Sequence, residues 1–415
     1  MWLGHPPHSS SCAGVVLDPV LARRRLALFA LFFIPGLGIA SWVTRTPAIR
    51  DLLEASTAEM GLVLFGLSAG SMIGILASGP LVSRLGVRPL IIIGTALIVV
   101  SLPAIGFGGA WGGSFIVAGG LFLFGLGMGG GEIAMNVEGA DVEEAIGRPV
   151  LPALHGCFSL GTVVGASAGI VFTALDVSVT WHLASVGAVT AVIFVLAIRH
   201  VTPRPLPRPT ASDEPSALEQ GRLRDLLTDG RLILIGVIIL AMAFAEGTAN
   251  DWLPLVMVDG HNLDPAFGSA VYAVFAASMT IGRFAGGPFI ERFGRPAVLC
   301  VSAISGVAGL AVVIFADNQI AAGAAVILWG LGASLGFPVA LSAAGASGSN
   351  PATRVSIAAT VGYIAFLVGP PLLGFLGEHF DLRTALIAPM ILVAIAAFAA
   401  PYISTPSTRF ARRQH

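Results

Sequence analysis

Two carboxylates stand inside long apolar stretches of this sequence. Glu132 lies within residues 113–137, after a run of small residues. Glu246 lies within 231–252, with only Ala, Phe, Met and Leu separating it from Ile239. One helical turn beyond each acid is an amide, Asn136 and Asn250. A charge at the centre of a bilayer costs roughly 2.5 kcal/mol or more, so both acids are expected to face protein or a water-filled cavity. There a carboxyl can take up and release protons, and an amide can hold a polar solute. The bland alternatives are a hydrated Glu132 near a helix end, a structural pair for Glu246, and helix–helix hydrogen bonds from the amides.

A second group sits at the far ends of two of these stretches: Trp42 and Arg45 at the end of the first, Asp251 and Trp252 at the end of the seventh. An Arg45–Asp251 ion pair there would close an outer gate between two halves. Hydrated rim charges and interfacial Trp anchors are the competing readings. Arg283 falls near the inner end of the eighth stretch and is assigned to the inner gate as a structural cation. His155, at the start of the fifth, is read as structural.

The elements that must position these residues are membrane helices. Of the 415 residues, 55% are hydrophobic and 11% charged, against about 25% charged in a soluble domain. Mean hydropathy is +0.88. Apolar windows fall at 24–46, 60–82, 88–107, 113–137, 152–174, 179–198, 231–252, 266–288, 296–315, 320–343, 356–377 and 382–402. Each is near the ~20 residues that cross a hydrocarbon core, and none has the period-two alternation of a membrane barrel. The chain contains no lysine. Arginines crowd one side, at Arg23–Arg25, Arg84, Arg88, Arg148, the loop from Arg199 to Arg231, Arg292, Arg295, Arg354 and Arg409–Arg413. The other side has Arg45, Arg50 and Arg383. By the positive-inside rule both termini are cytoplasmic.

The expected organisation is a disordered leader over 1–22, six spans over 23–198, a proline-rich linker over 199–230, six spans over 231–402, and a tail over 403–415. The halves echo each other. Gly79-Pro80-Leu81-Val82-Ser83-Arg84-Leu85-Gly86 and Gly287-Pro288-Phe289-Ile290-Glu291-Arg292-Phe293-Gly294 share four identities in eight, 208 residues apart. Parallel six-span repeats imply two bundles about an axis along the membrane normal, with a solute site between them. The fold class is therefore an all-α membrane protein of twelve transmembrane helices, in two six-helix bundles with pseudo-twofold symmetry.

These loops resemble the G-x-x-x-[D/E]-R-x-G-R motif of the major facilitator superfamily, over roughly 22–402. The second half matches fully, with Arg295 closing the motif. The first departs at Ser83 and at Val87, which delays the second Arg to Arg88. The resemblance implies that Gly79, Arg84, Gly86, Gly287, Glu291, Arg292 and Gly294 belong to loops that lock the cytoplasmic gate. Glu132-Ile133-Ala134-Met135-Asn136 is similar to the E-x-x-x-N stretch of the fucose permease branch, which implies a proton-coupling role for Glu132. That branch carries an acid in span one, where this chain has Arg45.

Gly125-x-Gly127-x-x-Gly130 matches the dinucleotide fingerprint, yet lies inside a span, so helix packing explains it. Gly161-x-x-x-Gly165-x-x-x-Gly169 reads the same way. Span five lacks the Gly-Pro pair typical of multidrug antiporters; Gly369-Pro370-Pro371 lies in span eleven instead. Cys12, Cys157 and Cys300 form no metal or disulfide framework, and no nucleotide-binding or hydrolase pattern is placed to act. A net charge of −1 gives no reason to expect nucleic acid. The expectation is a non-enzymatic, cofactor-free, monomeric inner-membrane transporter. It would carry a small polar solute, a sugar or related metabolite, coupled to protons. An exporter of drug-like compounds and a non-transporting receptor or scaffold are the alternatives.

Overall fold

A computed structural model describes residues 18–147, 150–201, 226, 228–348 and 350–403. The leader up to residue 17, Cys12, Arg148, most of the linker and the tail beyond 403 lie outside the described residues. Twelve helices are long and apolar enough to cross a membrane. We number them α1 (Pro19–Val43), α2 (Thr57–Leu85), α3 (Val87–Ala110), α4 (Ser114–Ile146), α5 (Leu151–Ala174), α6 (Val179–Ile198), α7 (Gly230–Leu255), α8 (Pro265–Phe293), α9 (Arg295–Phe315), α10 (Gln319–Gly345), α11 (Pro351–Phe380) and α12 (Ile387–Ala399). The twelfth span, Leu382–Ile403, is α12 together with a short helix at Leu382–Ala385 before it and a 3-10 turn at Ala400–Ile403 after it. A short helix at Thr46–Leu52 and a wide π turn at Val256–Gly260 complete the set; no strand occurs among the described residues.

The ends of these helices are written locally. Ser56 and Glu59 form a reciprocal capping box at the start of α2, and Asp18, Asp229 and Asp264 accept hydrogen bonds from the first turns of α1, α7 and α8. Gly86 and Gly294 stop α2 and α8 at φ 88° and 79°, a region costly for residues with a Cβ. The repeat extends to whole elements: α2 and α8 are both 29 residues long, and the 208-residue offset of the Gly-Pro pairs also separates their first and last residues.

Several helices overrun the apolar windows. Arg23, Arg24 and Arg25, expected before span one, lie in the first turns of α1, and α4 runs to Ile146 rather than 137. The reason is an ion-pair cluster: Arg24 Nε bonds the buried Glu138 carboxylate and its Nη2 lies 3.6 Å from Asp141. Charged residues that hydropathy assigns to loops thus continue the helices as paired extensions.

Within a bundle, small residues bring helices into backbone contact. A Cβ added at Gly74 of α2 would sit 2.5 Å from the Leu126 carbonyl oxygen, and one at Gly129 of α4 would sit 2.5 Å from that of Ser71. Membrane helices gain no hydrophobic effect against lipid, so such close packing holds them together. An even number of spans leaves the start of α1 and the end of α12 on one face of the membrane, here the terminal face. The other is the opposite face.

Candidate functional site

A cavity of about 430 Å³ lies between the two bundles, lined from α1, α2, α4, α5, α7, α8, α10 and α11. Its charged lining is Glu132, Glu246, Asp251 and Arg283. Asn136 and Asn250 join them, so both Glu/Asn pairs singled out in the sequence converge here. Ser68, Ser71, Ser159, Thr162 and Thr280 add hydroxyls, while Phe158, Tyr272, Phe337, Tyr363 and Phe366 add aromatic faces. Hydroxyl, amide and carboxyl groups thus stand beside flat apolar rings in one cavity.

Glu132 opens onto the cavity from the small-residue helix α4, with no described hydrogen bond or ion pair of its own; Arg283 and the His155 ring are the basic groups near it. Glu246 is nearly buried, 8% exposed, and Arg283 Nη2 lies 2.7 Å from its Oε1. Arg283 therefore corrects the sequence assignment. It belongs to the cavity rather than to a gate at the helix end, because its position on α8 puts it across from Glu246 on α7. Tyr272 Oη sits 3.5 Å from Asn250 Oδ1.

Asp251 is corrected too. It lies in the cavity wall, 6% exposed, and does not meet Arg45. The Arg45 guanidinium instead donates to Thr173 Oγ1 at 2.7 Å and to the Val177 carbonyl oxygen, both in its own half. Burial there pulls the Arg45 guanidinium below its usual range. Trp42 and Trp252 are each 1% exposed, so neither reaches the membrane interface. They are core residues under the closed face.

That face is closed by other residues. Arg50 makes a two-pronged pair with Asp259, its Nη2–Oδ1 bond 3.0 Å long. Ser269 Oγ donates to the Thr44 carbonyl oxygen at 2.9 Å, and the Ala58 amide donates to Glu378. Among the described residues these are the hydrogen bonds that cross between halves, and all lie at the opposite face. Composition did not single out Arg50 and Asp259. Their positions just after α1 and α7, 209 residues apart, nearly repeat the 208-residue offset and were the available signal.

At the terminal face, by contrast, the halves share no hydrogen bond or ion pair among the described residues, while Phe284 of α8 packs against Gly156 of α5. Arg84, Glu291 and Arg292 are exposed, with Arg292 resting 5.3 Å over its neighbour Phe293. A Cβ added at Gly79 or Gly287 would meet nothing within 4 Å.

The family model described as Major Facilitator Superfamily matches residues 27–370. The chain belongs to the major facilitator superfamily. It is similar to an uncharacterized transporter of this superfamily from Yersinia pestis, 31% identical over 89% of this chain and 93% of that protein. Membrane protein MosC of Rhizobium meliloti is 26% identical, covering 92% of each. Among solved structures, a nucleoside transporter NupG mutant superposes with TM-score 0.76 at 14% identity, over 92% of this chain and all of that one. A D-xylose-proton symporter gives 0.70 at 13%, over 92% and 96%. The E. coli fucose:proton symporter gives 0.61 at 19%, over 92% and 98%. These identities establish the fold: a multi-pass membrane protein with the architecture of a secondary transporter.

Proposed function

We propose that this major facilitator superfamily member carries a small polar solute, a sugar or related metabolite, across the bacterial inner membrane by alternating access, coupled to protons through Glu132. The observation that carries the reading is the inter-bundle cavity, in which Glu132 presents a carboxyl without a partner beside amides, hydroxyls and aromatic rings. Asn136, Asn250 and Tyr272 are then solute contacts, and the Glu246–Arg283 pair orients the solute or exchanges partners with it. Arg50–Asp259 acts as the latch of the outer gate, and the loops at Gly79–Gly86 and Gly287–Gly294 latch the inner one in the alternate state. Three solved neighbours are named for nucleoside, xylose and fucose transport, which agrees with a hydroxyl-rich ring as cargo.

The arginine distribution supports cytoplasmic termini, so the closed face is the outer one and the state is inward-facing. A cavity completed within one chain supports a monomeric transporter set in lipid. Uptake by proteoliposomes under an imposed pH gradient, screened over monosaccharides and nucleosides, tests the reading. Glu132→Gln mimics the protonated carboxyl, so it should abolish uphill accumulation and keep counterflow exchange. Undiminished proton-driven accumulation by that variant removes Glu132 from the role.

A further inference from the structure

Asp251 lies at the end of the cavity nearest the closed face. It is five residues beyond Glu246 along α7, and Asp259 of the Arg50 latch follows eight positions later. Its carboxyl borders the cavity wall and is 6% exposed, yet no described residue donates a hydrogen bond to it or forms an ion pair with it. Two acids at this level have partners: Asp259 has Arg50, and Glu378 accepts from the Ala58 amide.

The charged and titratable groups around Asp251 leave it alone. On α8, Tyr272 is the neighbour close enough to feel its field, and that hydroxyl is aimed at Asn250. Arg283 on the same helix is engaged with Glu246. Arg45, just beyond α1, is turned to Thr173 and Val177, and Glu132 on α4 and Tyr363 on α11 line the cavity elsewhere. The membrane portions of α10 and α12 contribute no ionisable side chain. His261 sits nearer the opposite face, against the Val313 carbonyl oxygen.

A carboxylate without a counterion is costly to remove from water, whereas the neutral acid is far less so. Closing the outer gate is what dries Asp251. We propose that Asp251 is a proton-sensing group of the outer gate: the gate closes over it when it holds a proton and reopens to hydrate it when it is ionised. The step is a simple protonation, –COO⁻ plus a proton from the outer solution giving –COOH, with the proton returned when the carboxyl is rehydrated. This deepens the proposed proton coupling, but it concerns the gate equilibrium and can be tested without transport.

Phe115 and Ile320 are exposed at the starts of α4 and α10, one in each half at the closed face and away from the latch. Spin labels at Phe115→Cys and Ile320→Cys, with the native cysteines replaced by Ser, report the opening of that face in detergent or nanodiscs. In the parent protein the closed fraction should rise as pH falls from about 9 to about 5, by up to about tenfold in the closed-to-open ratio per pH unit for one proton. Asp251→Asn, neutral at every pH, should stay closed with a flat profile, as should Asp251→Ser. A flat parental profile, or an Asp251→Asn or Asp251→Ser profile that keeps the parental titration, overturns the proposal. Failure of Glu132→Gln to lose accumulation would overturn the Glu132 assignment and leave this one standing.

Discussion

Removing Arg50 isolates the contribution of the latch at the closed face. Its guanidinium makes two hydrogen bonds to Asp259 across the bundles, with side chains 22% and 30% exposed. Water screens a pair this open, so its contribution belongs at the upper end of the range for surface pairs, about 1 kcal/mol, helped by the two-pronged geometry. If the pair exists only when this face is closed, losing it lowers the closed-to-open ratio about fivefold. The neighbouring Asp51, 2.7 Å from Arg50 Nε, also loses its partner, which makes the single substitution an imperfect measure. A double-mutant cycle with Arg50→Ala, Asp259→Ala and both together removes that term. The readout is the distance distribution across the closed face, or the rate at which a cavity cysteine is modified from outside. A coupling near zero, with each single variant as closed as the parent, would refute the latch.

Arg24→Ala should leave Glu138, 2% exposed, buried without its counter-charge, costing about 3 kcal/mol; thermal unfolding in detergent reads this, and an unchanged melting temperature argues against the cluster. Gly74→Leu should separate α2 from α4 and abolish recovery of folded protein, checked by size-exclusion chromatography, because the position faces backbone rather than a movable side chain. Asp229 caps α7 and is bonded by Arg354, whose hydrogen bond holds its carboxyl below the ordinary value of 3.8. That stabilisation is fully present above this value and is lost as pH falls through the lower folded one. Asp229→Asn keeps a cap acceptor but not the charge, so its deficit against the parent should shrink on acidification, as followed by melting curves. A deficit constant down to about pH 3 would sink that account.

The number of spans, their parallel repeat and the two Glu/Asn pairs were legible in the sequence because membrane insertion constrains them locally. A hydrocarbon core demands about twenty apolar residues whatever the neighbours are, and an acid inside such a run has few places to face. The Gly-Pro echo likewise carried its register into α2 and α8 as whole helices. Pairing between distant helices was another matter. Sequence places Arg45 and Asp251 at neighbouring levels but gives no rotation about either helix axis, and rotation turned Arg45 toward Thr173 and Asp251 into the cavity. The same freedom buried Trp42 and Trp252, gave Arg283 to Glu246, and made the latch from Arg50 and Asp259. Which face is closed was also beyond the sequence, since one chain must serve both states and the loops at Gly79 and Gly287 fit either. Composition and periodicity determine which residues cannot face lipid. Only the packing of one bundle against the other decides what they face instead, because that depends on helix rotation and bundle tilt, which no local stretch of sequence encodes.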